Sequence, residues 1–242
     1  MTNVHLYLVG GAVRDHIMGR LSHDFDFSVE AESYEAMKDW LLKNDFEIFL
    51  ETPQYLTIRA RRKLPWSFAD FNLSGQTFDF VLCRKDGAYS DGRRPDSVEM
   101  GTIYDDLARR DFTMNAIAID EKGNILDPHG GVKDIEKRII RCVGSTDRLE
   151  EDPLRMLRAF RFAITLDFIL DEDVFYFITQ QVPLSIHNLM QKVAQDRIRD
   201  ELTKAMAFDT FATIQALSNF PEMSNYIFNE TDLWLLPTSK GR

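Results

Sequence analysis

Thiols are scarce: Cys83 and Cys142 are the only cysteines in 242 residues, far apart and without a Cys-x-x-Cys partner. That excludes a disulfide framework and a thiolate zinc site, and makes a reducing compartment the expectation. No apolar run approaches the roughly 18–20 residues of a membrane span, and no basic flank precedes the short apolar stretch Leu6–Val9. A soluble, cytoplasmic chain with no membrane partner is therefore expected. The five histidines, His5, His16, His23, His129 and His187, are dispersed and show no metal-ligand spacing. Positive charge is also short, with 29 Lys and Arg against 39 Asp and Glu, a net of -10. Half of that excess lies in residues 1–50, which carry 4 basic and 9 acidic side chains, whereas residues 51–100 carry 8 and 7. A uniformly acidic surface argues against a polyanionic partner. An acidic pocket that recruits divalent cations produces the same local excess.

What is present is a foldable core. Hydrophobic residues make up 44% and aromatics 12%, enough for one large or two small packed domains and too much for a disordered chain. Leu6–Val9, closed by Gly10-Gly11 and followed by a helical stretch to Gly19, predicts strand, glycine turn, helix. Asp24 to Val29 alternates with period two, placing Asp24, Asp26 and Ser28 on one strand face and Phe25, Phe27 and Val29 on the other. An amphipathic helix is predicted over Glu32–Lys43 with Tyr34, Met37 and Leu41 inward. Strands are predicted at Tyr55–Ala60, Thr77–Cys83 and Asn115–Asp120, and a long mobile loop at Arg84–Gly101. From about Asp127 helices dominate: Val132–Lys137, Asp152–Leu166, Asp171–Gln181, Ala194–Ala207 and Thr210–Phe220, with Pro183 and Pro221 as breaks. The expected organisation is a mixed α/β part at 1–126 and an all-helical part at 127–242.

Three constellations carry chemistry. Gly10, Gly11, Arg14 and Asp15 surround a strand-to-helix turn, where backbone N–H groups and a fixed guanidinium suit a triphosphate. Asp24 and Asp26, at i and i+2 on one strand face, suit a hard divalent cation such as Mg2+, although an isolated pair is equally a solvated edge strand. The run Arg109-Arg110-Asp111-Phe112-Thr113 with Asn115 offers phosphate donors and ribose partners, and is by itself ambiguous with a charged turn. Finally Asp152, Arg155, Arg158 and Arg161 form a slanting polar stripe on a helix whose opposite face holds Leu154, Leu157, Phe160 and Ile164. Three arginines with no lysine among them favour fork-shaped recognition over a generic solvated face.

Taken in order, LVGGAVRDHIMG, HDFDF, DLARRDFTMNAIA, DPHGGVKDIEKRIIRCVG and EDPLRMLRAFRFA resemble the tRNA nucleotidyltransferase and poly(A) polymerase family, in its class II, bacterial-type branch of CCA-adding enzymes. The resemblance covers residues 6 to about 207, with QDRIRDEL as a last motif. It implies an α+β protein, a mixed-sheet, polymerase-beta-like nucleotidyltransferase head followed by a helical neck. It also implies Mg2+-dependent addition of CCA to the 3′ end of tRNA from CTP and ATP, with release of pyrophosphate. Asp24 and Asp26 match the metal-binding catalytic aspartates, and Asp79, alternating with Phe78 and Phe80, stands where a third carboxylate would be useful. Gly10, Gly11, Arg14, Asp15, Arg110, Asp111 and Asn115 match nucleotide-binding positions. Asp152 and Arg155 match the pair that reads the base edge, with Arg158 and Arg161 as phosphate-facing arginines of the same helix.

The last motif has Ala194 where the family usually has serine, keeping Asp196, Arg197 and Ile198. The chain is expected to be a short form lacking most of the body and tail that grip tRNA, which leaves a homodimer open. Enzymes that add only CC or only A, and poly(A) polymerases, share these motifs. A binding module that has lost activity is the alternative from another class. Length at the Arg84–Gly101 loop favours full CCA addition.

Overall fold

The glycine pair after Val9 decides where the first strand stops. In a computed structural model, which describes residues 4–86, 98–181, 186–231 and 233, strand His5–Val9 (β1) runs into Gly10 at φ 73°. That left-handed conformation is open to glycine because it has no Cβ. Helix Gly11–Ile17 (α1) follows at once and closes at Met18 and Gly19. Strand Phe25–Glu30 (β2) buries Phe25, Phe27 and Val29, and helix Tyr34–Lys43 (α2) buries Tyr34, Met37 and Leu41. The α2 helix starts two residues later than the pattern suggests, because the Ser33 hydroxyl accepts from the Ala36 N–H and caps it there.

Strand Phe46–Thr52 (β3), which the sequence pattern did not reveal, pairs antiparallel with Thr57–Arg62 (β4). Between them Pro53–Tyr55 makes a single 3-10 turn, so the strand expected from Tyr55 begins at Thr57. A short hairpin, Ser67–Phe68 (β5) with Phe71–Asn72 (β6), precedes Thr77–Leu82 (β7). The ends of the loop expected at Arg84–Gly101 are instead an antiparallel ribbon, Arg84–Asp86 (β8) with Val98–Met100 (β9), and residues 87–97 lie outside the described residues. Helix Ile103–Ala108 (α3) is set by a capping box between Thr102 and Asp105. Asn115 belongs to a 3-10 turn, Thr113–Asn115, rather than to a strand. The strand begins at Ala118 (β10, Ala118–Asp120) and turns through Gly123 into Ile125–Leu126 (β11), and helix Gly131–Lys137 (α4) follows.

Seven of these strands form one mixed sheet, ordered β11-β10-β1-β2-β7-β4-β3, in which β2 and β7 are parallel and the other pairs antiparallel. An aromatic core fixes its register. Phe27 stacks on Phe80 at 5.3 Å and meets Phe68 and Phe78 edge-on, while Trp66 meets Phe78 at 5.0 Å. A one-residue slip of β2 would turn Phe27 out and drive Asp26 into these rings, so the same contacts that hold the sheet aim the carboxylates.

The chain divides into two compact units, the first ending at Ile135 and the second taking over at Glu136. The second unit is helical: Asp147–Glu151 (α5), Leu154–Leu166 (α6), Glu172–Tyr176 (α7), Ile186–Met190 (α8), Gln195–Phe208 (α9), Thr210–Ser218 (α10) and Pro221–Asn225 (α11). It also holds a two-residue parallel strand pair, Ile139–Ile140 (β12) with Ile169–Leu170 (β13), so it is not helix throughout. The helix expected over Asp171–Gln181 changes to a π-type turn at Phe177–Gln181. Pro221 starts α11 rather than breaking a helix, and Pro183 lies outside the described residues. Helix α6 packs on α9 and α10 and buries a wider face than the stripe implies, Met156, Ala159, Phe162 and Leu166 as well as Leu154, Leu157 and Phe160. Ile164 is only half-buried.

Candidate functional site

Because side chains alternate along β2, Asp26 and Ser28 share the face opposite Phe25 and Phe27, while Asp24 stands exposed just before the strand. Gly10 closes in on this face: a Cβ there would lie 3.3 Å from Arg110 Nη1 and 3.9 Å from Asp26 Oδ2. The glycine turn, the carboxylate strand and the RRDFTMN segment thus meet at one place, although about a hundred residues separate the first from the last.

Hydrogen bonds hold that meeting together. Arg14, buried one turn into α1, donates from Nη1 to Asn115 Oδ1 at 2.8 Å and from Nη2 to Asp15 Oδ1 at 2.7 Å. Asn115 in turn donates to Asp111 Oδ1 at 3.1 Å. Arg110 donates from Nη2 to Asp106 Oδ2 at 3.0 Å and to the Ser28 hydroxyl at 3.2 Å, and its buried Nε has no partner among the described residues. Arg109 grips the other oxygen of Asp106, and the Ser28 hydroxyl donates to Asp106 Oδ2 at 2.7 Å. Asp106 is fully buried. Burial alone would raise its pKa, but the Arg110 and Arg109 charges and the Ser28 bond outweigh that and hold it at about 2. Sequence reasoning missed Asp106. Its place on α3, three and four residues before Arg109 and Arg110, was the available signal.

Asp26 shows the opposite balance. Burial and the charges of Asp24 and Asp79 push its pKa up to about 6, against the pull of Arg110 and Arg59. A carboxylate that resists ionisation because other carboxylates face it is relieved by a cation, so the donor set of Asp24 and Asp26 fits a divalent metal. Among the described residues no group of three or more His, Cys, Asp or Glu stands ready to hold a metal. Asp79 does lie beside Asp26 in the β2–β7 register, but both its oxygens are bonded by Arg59, at 2.7 and 2.6 Å. No residue-by-residue signal pointed to Arg59.

In the second unit Asp152 and Arg155 fall at a helix junction. Asp152 ends α5 in an extended conformation, Pro153 follows, and α6 starts at Leu154, so the helix predicted from Asp152 is interrupted there. Arg197 of α9 bonds both oxygens of Asp152, at 3.3 and 2.7 Å. Arg155 is buried and donates from Nη1 to the Arg148 carbonyl at 2.9 Å and to Glu151 at 3.2 Å. Arg158 and Arg161 converge on buried Glu201 of α9, and both stand over the Phe162 ring. The slanting stripe is therefore a set of ion pairs between α6 and its neighbours rather than a solvated face. Glu201 and Arg197 could not be paired with it from sequence, because some forty residues intervene.

Comparison with known proteins shows what the chain is similar to. Residues 6–141 match the model of the poly A polymerase head domain. A CCA-adding enzyme of Geobacillus kaustophilus is 38% identical over 203 residues, which are 83% of this chain and 45% of that protein. The Bacillus stearothermophilus CCA-adding enzyme in complex with CTP superposes with a TM-score of 0.70 at 32% identity, covering 90% of this chain and 47% of that one. A tRNA nucleotidyltransferase complexed with a primer tRNA and an incoming ATP analogue superposes with a TM-score of 0.73 at 27% identity, covering 96% and 61%. The chain spans about half the length of the curated relatives it matches. No helix of the described residues is long and apolar enough to cross a membrane.

Proposed function

The chain belongs to the poly A polymerase head-domain family, and from that premise we propose that it is a nucleotidyltransferase that adds CCA to the 3′ end of tRNA from CTP and ATP, without a template. The observation that carries this reading is the convergence of Asp26, Gly10 and Arg110 on one face of the head sheet. The catalytic part is residues 1–126 and the base-reading part residues 127–242, with the first compact unit running on to Ile135.

Asp24 and Asp26 would hold Mg2+, which when bound supplies activation of the RNA 3′-hydroxyl and neutralises the leaving pyrophosphate. Gly10 and Gly11 keep side chains away from the triphosphate. Arg110, whose Nε has no partner among the described residues, offers donors to phosphate. Arg14, Asp15, Asp111 and Asn115 form the bonded chain that positions the nucleotide, and Asn115 and Asp111 have acceptors suited to ribose hydroxyls. Asp79, the register neighbour of Asp26, would be a third carboxylate of this set.

Base choice follows from donor and acceptor inventories. A carboxylate such as Asp152 accepts from the exocyclic amino group shared by cytosine and adenine, and a guanidinium such as Arg155 donates to their ring nitrogen. Guanine and uracil present a carbonyl and an N–H at those places, leaving both contacts unpaired or repulsive. Asp152 and Arg155 are tied to Arg197 and Glu151, so reading a base requires those partners to share or yield. Arg158 and Arg161 would reach phosphate with donors beyond those that bond Glu201.

The test is incubation of the chain with tRNA lacking its CCA end, Mg2+, and CTP and ATP singly and together, with products resolved at single-nucleotide length. Addition that stops after three nucleotides and vanishes in Asp24→Ala is the expected outcome. Addition of C or A alone, or of a long A tract, keeps the family and overturns the specificity; no addition to any RNA overturns the reading in favour of a binding module.

A further inference from the structure

Arg59 belongs to none of the nucleotide motifs, yet it pairs across the sheet with Asp79, the strand neighbour of Asp26. The registers Asp26↔Asp79 and Arg59↔Asp79 put the three charged residues in one row across β2, β7 and β4, on one face. The fork of Arg59 takes both oxygens of Asp79, Nε to Oδ1 and Nη2 to Oδ2. Its side chain is nevertheless 46% exposed. Together with His23, Asp24, Gln76 and Thr77, the pair lines an open polar cleft of about 320 Å³.

A guanidinium and a divalent cation compete for the same carboxylate oxygens. Without either, Asp24, Asp26 and Asp79 would repel one another on a partly desolvated face. A half-exposed pair is screened by water and exchanges easily, unlike the buried grip on Asp106. Resting on the nucleotidyltransferase reading, we propose that Arg59 is a built-in counter-cation that occupies Asp79 in the cation-free head and yields it on cation binding, so that Asp79 joins Asp24 and Asp26. Arg59 is thus a positioning residue that sets how tightly the head takes a cation before any nucleotide is present.

The test is Mn2+ titration of the full chain without nucleotide or RNA, followed by electron paramagnetic resonance of free Mn2+, with a thermal melt of each variant. Arg59→Gln removes the competitor and one nearby charge, and is expected to tighten Mn2+ binding by roughly five- to tenfold, the size of one unit charge a few ångströms away in a screened cleft. Asp79→Asn alone is expected to change affinity by less than about twofold, since a ligand already taken by Arg59 has little to lose. In the double variant the gain should disappear. Should Arg59→Gln fail to melt cooperatively, Arg59→Lys, which keeps the charge but not the fork, is expected to show a smaller gain in the same direction. Equal affinity in wild type and the Arg59 variants overturns the exchange, as does a gain that survives Asp79→Asn, because bulk electrostatics would then account for it. Mn2+ binding that is indifferent to Asp26→Asn would show that the cation is elsewhere, and overturns the metal assignment of the proposed function together with the exchange.

Discussion

The two units hold their charges in contrasting ways. In the helical unit each arginine of the stripe has a carboxylate within reach, Arg155 with Glu151, and Arg158 and Arg161 with Glu201, while Arg197 closes on Asp152. In the head, Asp106 is over-supplied with cations, and Asp26, a short way along the same strand face as Ser28, is under-supplied, so its proton is held up to about pH 6. The difference teaches where each unit is ready to act. A helix junction with its charges matched is rigid and must exchange partners to read a ligand. A sheet face with an unmatched carboxylate is strained until a cation arrives.

The strongest way to break this comparison is to remove the unmatched pair. Asp24→Ala should lower nucleotide incorporation by roughly a thousandfold or more, the several kcal/mol that a catalytic metal contributes, measured as single-turnover extension of a tRNA lacking its CCA end. Loss of less than tenfold would show that the carboxylates are not the cation site.

Next in size is the buried counter-charge. Asp106→Ala takes from Arg109 and Arg110 the fully buried carboxylate that they share, and should cost about 3–5 kcal/mol of stability. Glu201→Ala in the helical unit, where the carboxylate is less completely buried and one partner, Arg158, is 32% exposed and 3.7 Å away, should cost less, about 2 kcal/mol. Urea unfolding of both variants ranks them, and the reverse order would overturn the contrast between the units.

Asp26→Asn sharpens the contrast by separating stability from activity. The rise of its pKa from 3.8 to about 6 means that ionised Asp26 destabilises the folded head above about pH 6, by roughly 2–3 kcal/mol. That cost is absent below the unfolded value near 3.8, where both states are protonated, so the gain in melting temperature from Asp26→Asn should be full at pH 7 and fade as pH falls towards 4. Activity should be lost at every pH. A variant no more stable than wild type at pH 7 would show that Asp26 is not strained.

The smallest expected effect concerns specificity. Asp152→Ala removes the acceptor for the exocyclic amino group, and should relax discrimination against UTP and GTP by about tenfold, near 1.4 kcal/mol, while slowing total incorporation less. Competition between labelled CTP and UTP measures it, and unchanged discrimination would remove Asp152 from base reading.

Local pattern was enough for the strand, glycine turn and helix at the N-terminus, and for the alternation that aims Asp26 and Ser28 one way and Phe27 the other, because period and glycine conformation act within a few residues. The same local signals misplaced Asn115, put Asp152 inside a helix and left β3 unseen. Asn115 was drawn into the apolar run Ala116–Ile119 that starts just after it. Pro153 splits the helix that the arginine spacing suggested, and β3 carries Phe49 and Leu50 exposed at the sheet edge, which blurs its alternation. Thus the sequence by itself determined the chemistry available: which carboxylates, arginines and glycines exist and which way each faces along its own element. Only the tertiary structure decided which charges cancel. Arg59 reaches Asp79 across 20 residues, Arg14 reaches Asn115 across 101 and Arg161 reaches Glu201 across 40, and pairing at such separations is set by strand register and helix packing rather than by any local period.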